Sequence, residues 1–204
     1  MAASTFIFIT GGVRSGKSSF AERKAAEMAR KTRGRLNYLA TGVPSDPEMK
    51  ERIDKHRRDR STGTCQWRTH EQSVQIGKIA DVFNAEDVVL VDCVTTLLNN
   101  ELFSSKQKWD ERFLSAVEEH IVNGINSIKN HAGTLIVVSN EVLNEPLGSN
   151  VMVYTYGRLL GNIHQYFVRE ADQVFLVEAG IPIIMKGVSY NERNYDSRDS
   201  FRCR

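Results

Sequence analysis

Cysteine is scarce in this sequence. The three cysteines, Cys65, Cys93 and Cys203, are too few and too scattered to indicate a zinc site or a disulfide framework. An odd number of scattered thiols is typical of a protein in a reducing cytosol, so we expect a cytoplasmic protein.

Long hydrophobic runs are also missing. No apolar stretch approaches the ~20 residues that a membrane-spanning helix needs. Residues 1–5 carry no basic segment, and the apolar run that follows is short. We therefore expect neither a signal peptide nor a membrane span.

Charge of one sign is not in excess either. The 27 basic and 25 acidic side chains leave a net charge of +2, which argues against nucleic acid as the main partner and against a nucleic-acid motor.

The 204 residues suit one domain with a sheet covered on both faces. We place that domain at residues 1–187. Residues 188–204 are polar and without hydrophobic periodicity, and we expect them to form a C-terminal tail.

The strongest motif lies between Gly11 and Ser18. It reads G-x-x-x-x-G-K-S, the pattern of a phosphate-binding loop, and it stands between an apolar run and a helical stretch, as such a loop requires. We expect its eight residues to bind the phosphates of a nucleotide: Gly11, Gly12, Val13, Arg14, Ser15, Gly16, Lys17 and Ser18. A glycine-rich turn without a ligand is the competing interpretation.

Each fixed position of this loop has a chemical reason. Gly11 and Gly16 let backbone N–H groups turn inward around phosphate oxygens. Lys17 places a positive charge on the β- and γ-phosphates, and the Ser18 hydroxyl is a ligand for the Mg²⁺ that bridges them. The following helix presents its positive dipole end to the same anion.

Apolar runs alternate with helical stretches along the chain, which predicts an α/β fold with a mostly parallel central sheet. Predicted strands cover residues 5–10, 36–40, 65–68, 88–92, 134–139, 173–178 and 181–185. Predicted helices cover residues 18–31, 48–60, 71–83, 95–103, 109–129 and 151–170. Together with the phosphate loop, this order indicates the three-layer fold of P-loop NTPases of the RecA-like type.

Polar residues follow several predicted strands. Besides the phosphate loop, these are Thr41, Asp92, Asn140 and Glu141. Ligands of parallel sheets bind at the carboxyl ends of the strands, so we expect these residues to gather at one edge. Asp92 would hold Mg²⁺ through water, or alternatively cap the next helix. Asn140 and Glu141 would orient a nucleophile or contact a phosphate, or alternatively form a simple turn.

The predicted helix at 48–60 is unusually basic. Met49, Ile53 and His56 share one of its faces at helical spacing. Five cationic residues surround them: Arg52, Lys55, Arg57, Arg58 and Arg60. This segment is either a solvated face or a surface that meets an anion near the phosphate loop, and the charge run alone leaves both open.

Several stretches together resemble one family, the bifunctional adenosylcobinamide kinase / adenosylcobinamide-phosphate guanylyltransferases of cobalamin biosynthesis. The stretches are Thr10–Ser18 (T-G-G-V-R-S-G-K-S), Arg52–Arg57 with Trp67–Glu71, Asp92–Thr95 with Asn100, Ser139–Val142, and Ala171–Lys186. The resemblance covers about residues 5–187 in unbroken order.

This resemblance implies two reactions. In the first, a nucleoside triphosphate phosphorylates the hydroxyl of the aminopropanol arm of adenosylcobinamide. In the second, GMP passes from GTP to a histidine of the enzyme and then to adenosylcobinamide phosphate, giving adenosylcobinamide-GDP and pyrophosphate. By motif position the histidine is His56, and a neutral imidazole is a competent nucleophile toward phosphorus near neutral pH.

The resemblance also implies a set of ligands and partners. ATP and GTP are the substrates, and Mg²⁺ is the cofactor, held by Ser18 and Asp92. Lys17 would act in catalysis beside His56. The nucleotide-binding residues outside the loop would be Thr41, Arg57, Arg60, Glu71 and Asp92. The resemblance further implies a homo-oligomer, a trimer.

Two segments depart from the family pattern, residues 143–147 and 156–165. His164 stands where the family has Asn, and we interpret it as a helix residue packed beside Ile163 and Phe167. A divergent P-loop kinase or a nucleotide-binding regulatory module, without the guanylyltransferase half, is the alternative to the bifunctional enzyme.

Overall fold

The structure is a computed structural model that describes residues 4–43, 51, 58, 65–105, 107–142 and 150–187. Three predictions fall mainly outside the described residues: the basic helix at 48–60 with His56, the loop before Asn150, and the tail at 188–204. These remain predictions.

The described residues form seven strands and several helices. The strands are β1 (Thr5–Gly11), β2 (Arg35–Ala40), β3 (Trp67–Glu71), β4 (Asp87–Asp92), β5 (Thr134–Asn140), β6 (Gln173–Glu178) and β7 (Ile181–Lys186). The helices are α1 (Lys17–Thr32), a 3₁₀ helix (Ile76–Val82), α2 (Val94–Phe103), α3 (Glu111–His131) and α4 (Val151–Glu170).

The strands form one sheet in the order β3-β2-β4-β5-β1-β6-β7. Strands β1 to β6 run parallel, and β7 returns antiparallel beside β6. The prediction of an α/β fold with a mostly parallel sheet is confirmed. In this order β1 lies in the interior, between β5 and β6, so the loop that follows it starts from the middle of the carboxyl edge.

Both faces of the sheet are covered, as expected for parallel strands that are apolar throughout. On one face, Ile7 and Ile9 of β1 pack with Phe20, Ala21 and Ala25 of α1. On the other, Phe6 and Phe8 pack with residues of α2, α3 and α4. This separation matters for function, because successive residues of a strand point to opposite faces of the sheet, either toward α1 or toward α4.

Side-chain caps explain where two of the helices begin. The Asp110 carboxylate accepts a hydrogen bond from the Phe113 backbone at the start of α3 (2.8 Å). The Asn150 side chain accepts from the Met152 backbone at the start of α4 (2.9 Å). Both residue types are preferred N-caps, and the observed start of α4 at Val151 matches the prediction.

The predicted helix at 71–83 is wrong. Strand β3 extends to Glu71, and only Ile76–Val82 are helical, as a 3₁₀ helix. Long-range contacts decide this region. Gln75 adopts a left-handed conformation with φ 51°, and its backbone N–H donates to the buried Glu101 carboxylate. Gly77 packs directly on Gly124 of α3, a contact with no local sequence signal.

Two smaller findings complete the fold. Cys93 is a free thiol, whereas Cys65 is disulfide-bonded, a bridge that the scattered cysteines did not predict. Within the described ranges, no helix combines the length and the apolar character needed to cross a membrane.

Candidate nucleotide-binding site

The phosphate-loop motif forms the turn between β1 and α1. Gly11 ends β1, and Lys17 is the first residue of α1. Gly16 precedes the helix with φ 89°, a conformation that favours glycine, and Arg14 is also left-handed with φ 60°. The predicted strand, turn and helix around the motif are confirmed. This geometry aims backbone N–H groups and the positive end of α1 into the turn.

Lys17 lies inside the loop rather than in solvent. Its side chain is buried, and its Nζ donates a hydrogen bond to the Gly12 carbonyl oxygen (3.0 Å). The Ser15 hydroxyl, in the same loop, is buried and has no hydrogen-bond partner among the described residues. A buried hydroxyl without a partner is unusual in native proteins.

The turn between β6 and β7 supports the loop from the side. The Gly180 backbone N–H donates to the Ser15 carbonyl oxygen (2.8 Å). A Cβ at Gly11 would lie 2.4 Å from the Val177 carbonyl oxygen, and a Cβ at Gly16 would lie 3.1 Å from Gly180 Cα. The loop therefore lies so close to β6 and to the β6–β7 turn that side chains at these two glycines would push them apart.

Asp92 ends β4 on the same face of the sheet as α1. It pairs in register with Val138, whose side chain packs in the α1 layer. Its Oδ2 accepts a hydrogen bond from the Tyr38 hydroxyl (3.1 Å). Tyr38 fixes the carboxylate orientation, and the sequence analysis did not find this role. No sequence signal was available for it, because the contact depends on β2 lying beside β4, where Tyr38 pairs with Leu90, two residues before Asp92 on the same face.

Cys93 follows Asp92 but is not suited to nucleophilic chemistry. Burial and the adjacent Asp92 carboxylate both raise the pKa of its thiol. The thiol therefore stays protonated near neutral pH, and the thiolate is the nucleophilic form.

Thr41 joins the ends of β2 and β4. It is fully buried, and its hydroxyl donates to the Cys93 carbonyl oxygen and accepts from the Cys93 N–H, both at 2.8 Å. The Asn100 side chain donates to the Thr41 carbonyl oxygen (2.8 Å) and to that of Ser73 (3.1 Å). These bonds give Thr41 a structural role. Its part in nucleotide binding stays a prediction.

Glu71 lies at the end of β3, far from the phosphate loop. Three strands, β2, β4 and β5, stand between β3 and β1. At a spacing of about 4.8 Å per strand, this places the two strand ends about 19 Å apart. Thr41, which follows β2, and Asp92, which ends β4, lie between Glu71 and the phosphate loop. The structure does not bring Glu71 to the loop.

Asn140 and Glu141 do reach the loop. Asn140 ends β5 and pairs in register with Gly11, and the Glu141 backbone N–H donates to the Gly11 carbonyl oxygen (2.9 Å). The predicted gathering of polar strand ends at one edge is confirmed for these residues, Asp92 and the phosphate loop. His56, Arg57 and Arg60 lie outside the described residues.

The described ranges contain no group of three or more His, Cys, Asp or Glu side chains that could enclose a metal ion. Two oxygen donors lie along this edge, the Ser18 hydroxyl in the first turn of α1 and the Asp92 carboxylate at the end of β4, with β5 between β4 and β1. A pair of hard oxygen ligands suits Mg²⁺, which takes most of its remaining ligands from water and substrate phosphates.

Comparison with known proteins gives consistent matches. The family model described as "Cobinamide kinase / cobinamide phosphate guanyltransferase" (CobU) matches residues 7–185. The bifunctional adenosylcobalamin biosynthesis protein CobU of Escherichia coli K12 is 30% identical over 188 residues, which cover 88% of this chain and 99% of the relative. The protein CobP of the same description, from Pseudomonas aeruginosa, is 32% identical over 180 residues, covering 88% and 96%.

Solved structures give more remote likenesses. The KaiC-like protein PH0186 of Pyrococcus horikoshii OT3 aligns with TM-score 0.47 and 14% identity, covering 84% of this chain and 70% of that one. The flagellar accessory protein FlaH of Methanocaldococcus jannaschii aligns with TM-score 0.46 and 13% identity, covering 90% and 78%.

Proposed function

The chain belongs to the CobU family, cobinamide kinase / cobinamide phosphate guanyltransferase, and from this membership we propose how its residues serve the two reactions. The protein is a bifunctional transferase of adenosylcobalamin biosynthesis. It phosphorylates adenosylcobinamide and then transfers GMP from GTP to adenosylcobinamide phosphate. The match of the family model to residues 7–185 is the observation that carries this conclusion.

We assign the first reaction to the phosphate loop. The loop N–H groups and the N-terminus of α1 would hold the β- and γ-phosphates of ATP or GTP. Lys17 would exchange its contact with the Gly12 carbonyl oxygen for the phosphates and stabilise the charge that develops on them. The left-handed Gly16 and the Lys17 side chain buried inside the loop support a ligand at this position.

Mg²⁺ fits the donor set at this edge. We propose that the Ser18 hydroxyl and the Asp92 carboxylate hold it, with Asp92 oriented by the Tyr38 hydroxyl. When bound, the ion neutralises charge on the β- and γ-phosphates. The protein's own part is to fix the two oxygens and, through Lys17 and the loop, to orient the phosphoryl group.

We propose that the second reaction uses His56 as the nucleophile and Arg57, Arg60 and Glu71 as nucleotide ligands, by motif position. Glu71 lies about 19 Å across the sheet from β1, by the spacing of strands. It would therefore contact a nucleotide near the end of β3, apart from the phosphates that the loop holds. Thr41 lies between the two positions. Its hydroxyl and N–H are bonded to Cys93 and Asp92, and its carbonyl oxygen accepts from Asn100, so it would contact either nucleotide only through the remaining acceptor site of that carbonyl oxygen.

Covalent labelling tests this assignment. The purified protein is incubated with Mg²⁺ and GTP labelled on the α-phosphate, beside His56→Ala and, as a matched control, His120→Ala, a substitution at an exposed histidine of α3. We expect acid-labile, base-stable label on the wild type and the control, and none on His56→Ala. No label on any of the three would sink the guanylyltransferase half and leave a P-loop kinase. Label on His56→Ala would place the nucleophile elsewhere.

We further propose one domain at residues 1–187 that assembles as a homo-oligomer, a trimer by family resemblance, in the cytoplasm, where ATP and GTP are available. Exposed apolar side chains support an assembly. Val151 at the start of α4 is 76% exposed, and Ile181 and Met185 of β7 are 66% and 61% exposed. Ile183 and Ile184 of β7 are exposed as well, and clusters of exposed apolar side chains commonly mark interaction sites.

A further inference from the structure

A buried hydrogen-bond network lies beneath the carboxyl edge of the sheet, on the face opposite α1. The fully buried Ser139 hydroxyl is 2.7 Å from Nε2 of His164 and 3.1 Å from Oγ1 of Thr95. Thr95 Oγ1 in turn accepts a hydrogen bond from the Asn140 backbone N–H (2.8 Å). We call these three side chains, Ser139, Thr95 and His164, the Ser139 network. None of the roles proposed above uses them.

The network joins three separate elements. Ser139 is on β5, Thr95 is in the first turn of α2, and His164 is in the middle of α4. The Tyr156 hydroxyl adds a second link from α4, because it donates to the Thr95 carbonyl oxygen (3.0 Å). Helix α4 is thereby bonded to the end of β5 and to the first turn of α2, which follows β4.

His164 can complete this chain without a buried charge. Burial lowers its pKa from 6.5 to about 4, so the imidazole is neutral near pH 7. A neutral imidazole has one donor and one acceptor nitrogen, and each hydroxyl has one proton to give. Every link of the network can therefore be satisfied, which is the condition under which a buried polar network holds its members in one arrangement.

The far end of the network is the nucleotide site. Asn140, whose N–H the network holds, pairs in register with Gly11, and the next residue, Glu141, bonds to the Gly11 carbonyl oxygen. Thr95 follows Asp92 by three positions, and α2 begins between them. A shift of the Ser139 network would thus move Asp92 and the start of the phosphate loop relative to each other.

We propose that His164 is a positioning residue. Through Ser139 and Thr95 it holds the ends of β4 and β5, and with them Asp92 and Gly11, in the arrangement that binds a magnesium–nucleotide complex. This inference rests on the proposed nucleotide chemistry. It goes beyond that chemistry because it gives a helix on the opposite face of the sheet a part in ligand binding.

The alternative is that His164 only fills space. Its ring packs 5.3 Å from that of Phe8, between ring centroids, so it also belongs to the core. Two substitutions separate these roles. His164→Leu keeps an apolar side chain of similar bulk and removes the hydrogen bond to Ser139. His164→Gln carries a terminal amide that reaches about as far as Nε2 and can restore that bond.

The experiment compares GTP affinity by calorimetry in the presence of Mg²⁺ and in EDTA. It uses the wild type, both His164 variants and His120→Leu as a control at an exposed histidine. We expect His164→Leu to weaken GTP binding with Mg²⁺ about 10-fold, which is the effect of losing one buried hydrogen bond. Its affinity in EDTA should stay within about 2-fold, and His164→Gln should recover to within about 3-fold of the wild type.

Melting temperatures, measured in parallel, separate positioning from packing. If His164→Leu melts at a lower temperature but binds magnesium–GTP like the wild type, the role is structural only and the inference is overturned. If His164→Gln binds as weakly as His164→Leu, the hydrogen bond is not the cause, and the inference is overturned as well. Failure of the wild type and of His120→Leu to bind GTP would instead refute the proposed function, and the inference with it.

Discussion

Substitution of Gly11 by alanine should both destabilise the protein and weaken nucleotide binding, whereas the same change at the neighbouring Gly12 should leave the stability of the nucleotide-free protein unchanged. A Cβ at Gly11 would lie 2.4 Å from the Val177 carbonyl oxygen and 2.7 Å from the Ser15 hydroxyl. A Cβ at Gly12 would meet nothing within 4 Å. The two positions are adjacent in the same motif, so they form a matched pair.

The magnitude follows from what must move. The Val177 carbonyl belongs to β6, which is hydrogen-bonded along β1, so it cannot retreat without disturbing that pairing. Overpacking of this kind costs about 1–3 kcal/mol. Each kcal/mol lowers the melting temperature of a domain this size by about 2–4 °C. If the loop relieves the clash by moving, the loss appears in nucleotide affinity, about tenfold for each 1.4 kcal/mol.

Urea denaturation without nucleotide gives the stability change, and calorimetry with GTP and Mg²⁺ gives the affinity change. For Gly12→Ala we expect unfolding free energy within about 1 kcal/mol of the wild type, because this glycine is not in a left-handed conformation and the added methyl group has room. Wild-type stability together with wild-type affinity in Gly11→Ala would refute the reasoning. An equal loss of stability in Gly11→Ala and Gly12→Ala would show that contact with β6 is not the cause.

Two further predictions concern buried polar groups. Asp87 is 3% exposed and accepts hydrogen bonds from Arg35 Nε (3.0 Å) and Asn37 Nδ2 (3.0 Å), so Asp87→Ala, which leaves the buried Asn37 amide without this partner, should cost about 1–3 kcal/mol in urea denaturation. The adjacent Glu86→Ala should cost less than about 0.5 kcal/mol, since Glu86 is 78% exposed and 3.8 Å from Arg35; similar losses in both would contradict this account. Burial lowers the pKa of His164 from 6.5 to about 4, so between these two pH values the unfolded chain binds more protons than the folded protein. Acidification from pH 6.5 toward pH 4 should therefore lower the unfolding free energy by about 3 kcal/mol. Stability should fall less over that window in His164→Gln, and an equal fall would show that His164 is not the group that titrates.

The phosphate loop could be predicted because its requirements are local. Strand, glycines, lysine and helix follow one another within a short stretch, and the structure places the start of α1 at Lys17. The gathering of Asp92 and Asn140 at one edge was also predictable, since it follows from the direction of parallel strands alone.

Contacts between distant residues could not be predicted. Glu101 determines the conformation of Gln75, and Gly124 packs on Gly77, so the expected helix at 71–83 gives way to a strand end and a 3₁₀ helix. His164 was interpreted as a packed helix residue, and it is packed. Its bond to Ser139, however, depends on how α4 lies across β5, which no local pattern specifies.

The interior position of β1 has a consequence for protein synthesis. Its two neighbours, β5 and β6, begin at Thr134 and Gln173, and the Phe6 N–H is bonded to the Asp172 side chain, 166 residues later. The residues of the phosphate loop therefore leave the ribosome long before the strands that hold them, and non-local pairing of this kind forms late. A nascent chain with the whole motif but without the β6–β7 hairpin would not yet have the Gly180 contact or the β6 support. Nucleotide binding by the growing polypeptide should thus begin only once nearly all of the sheet has emerged.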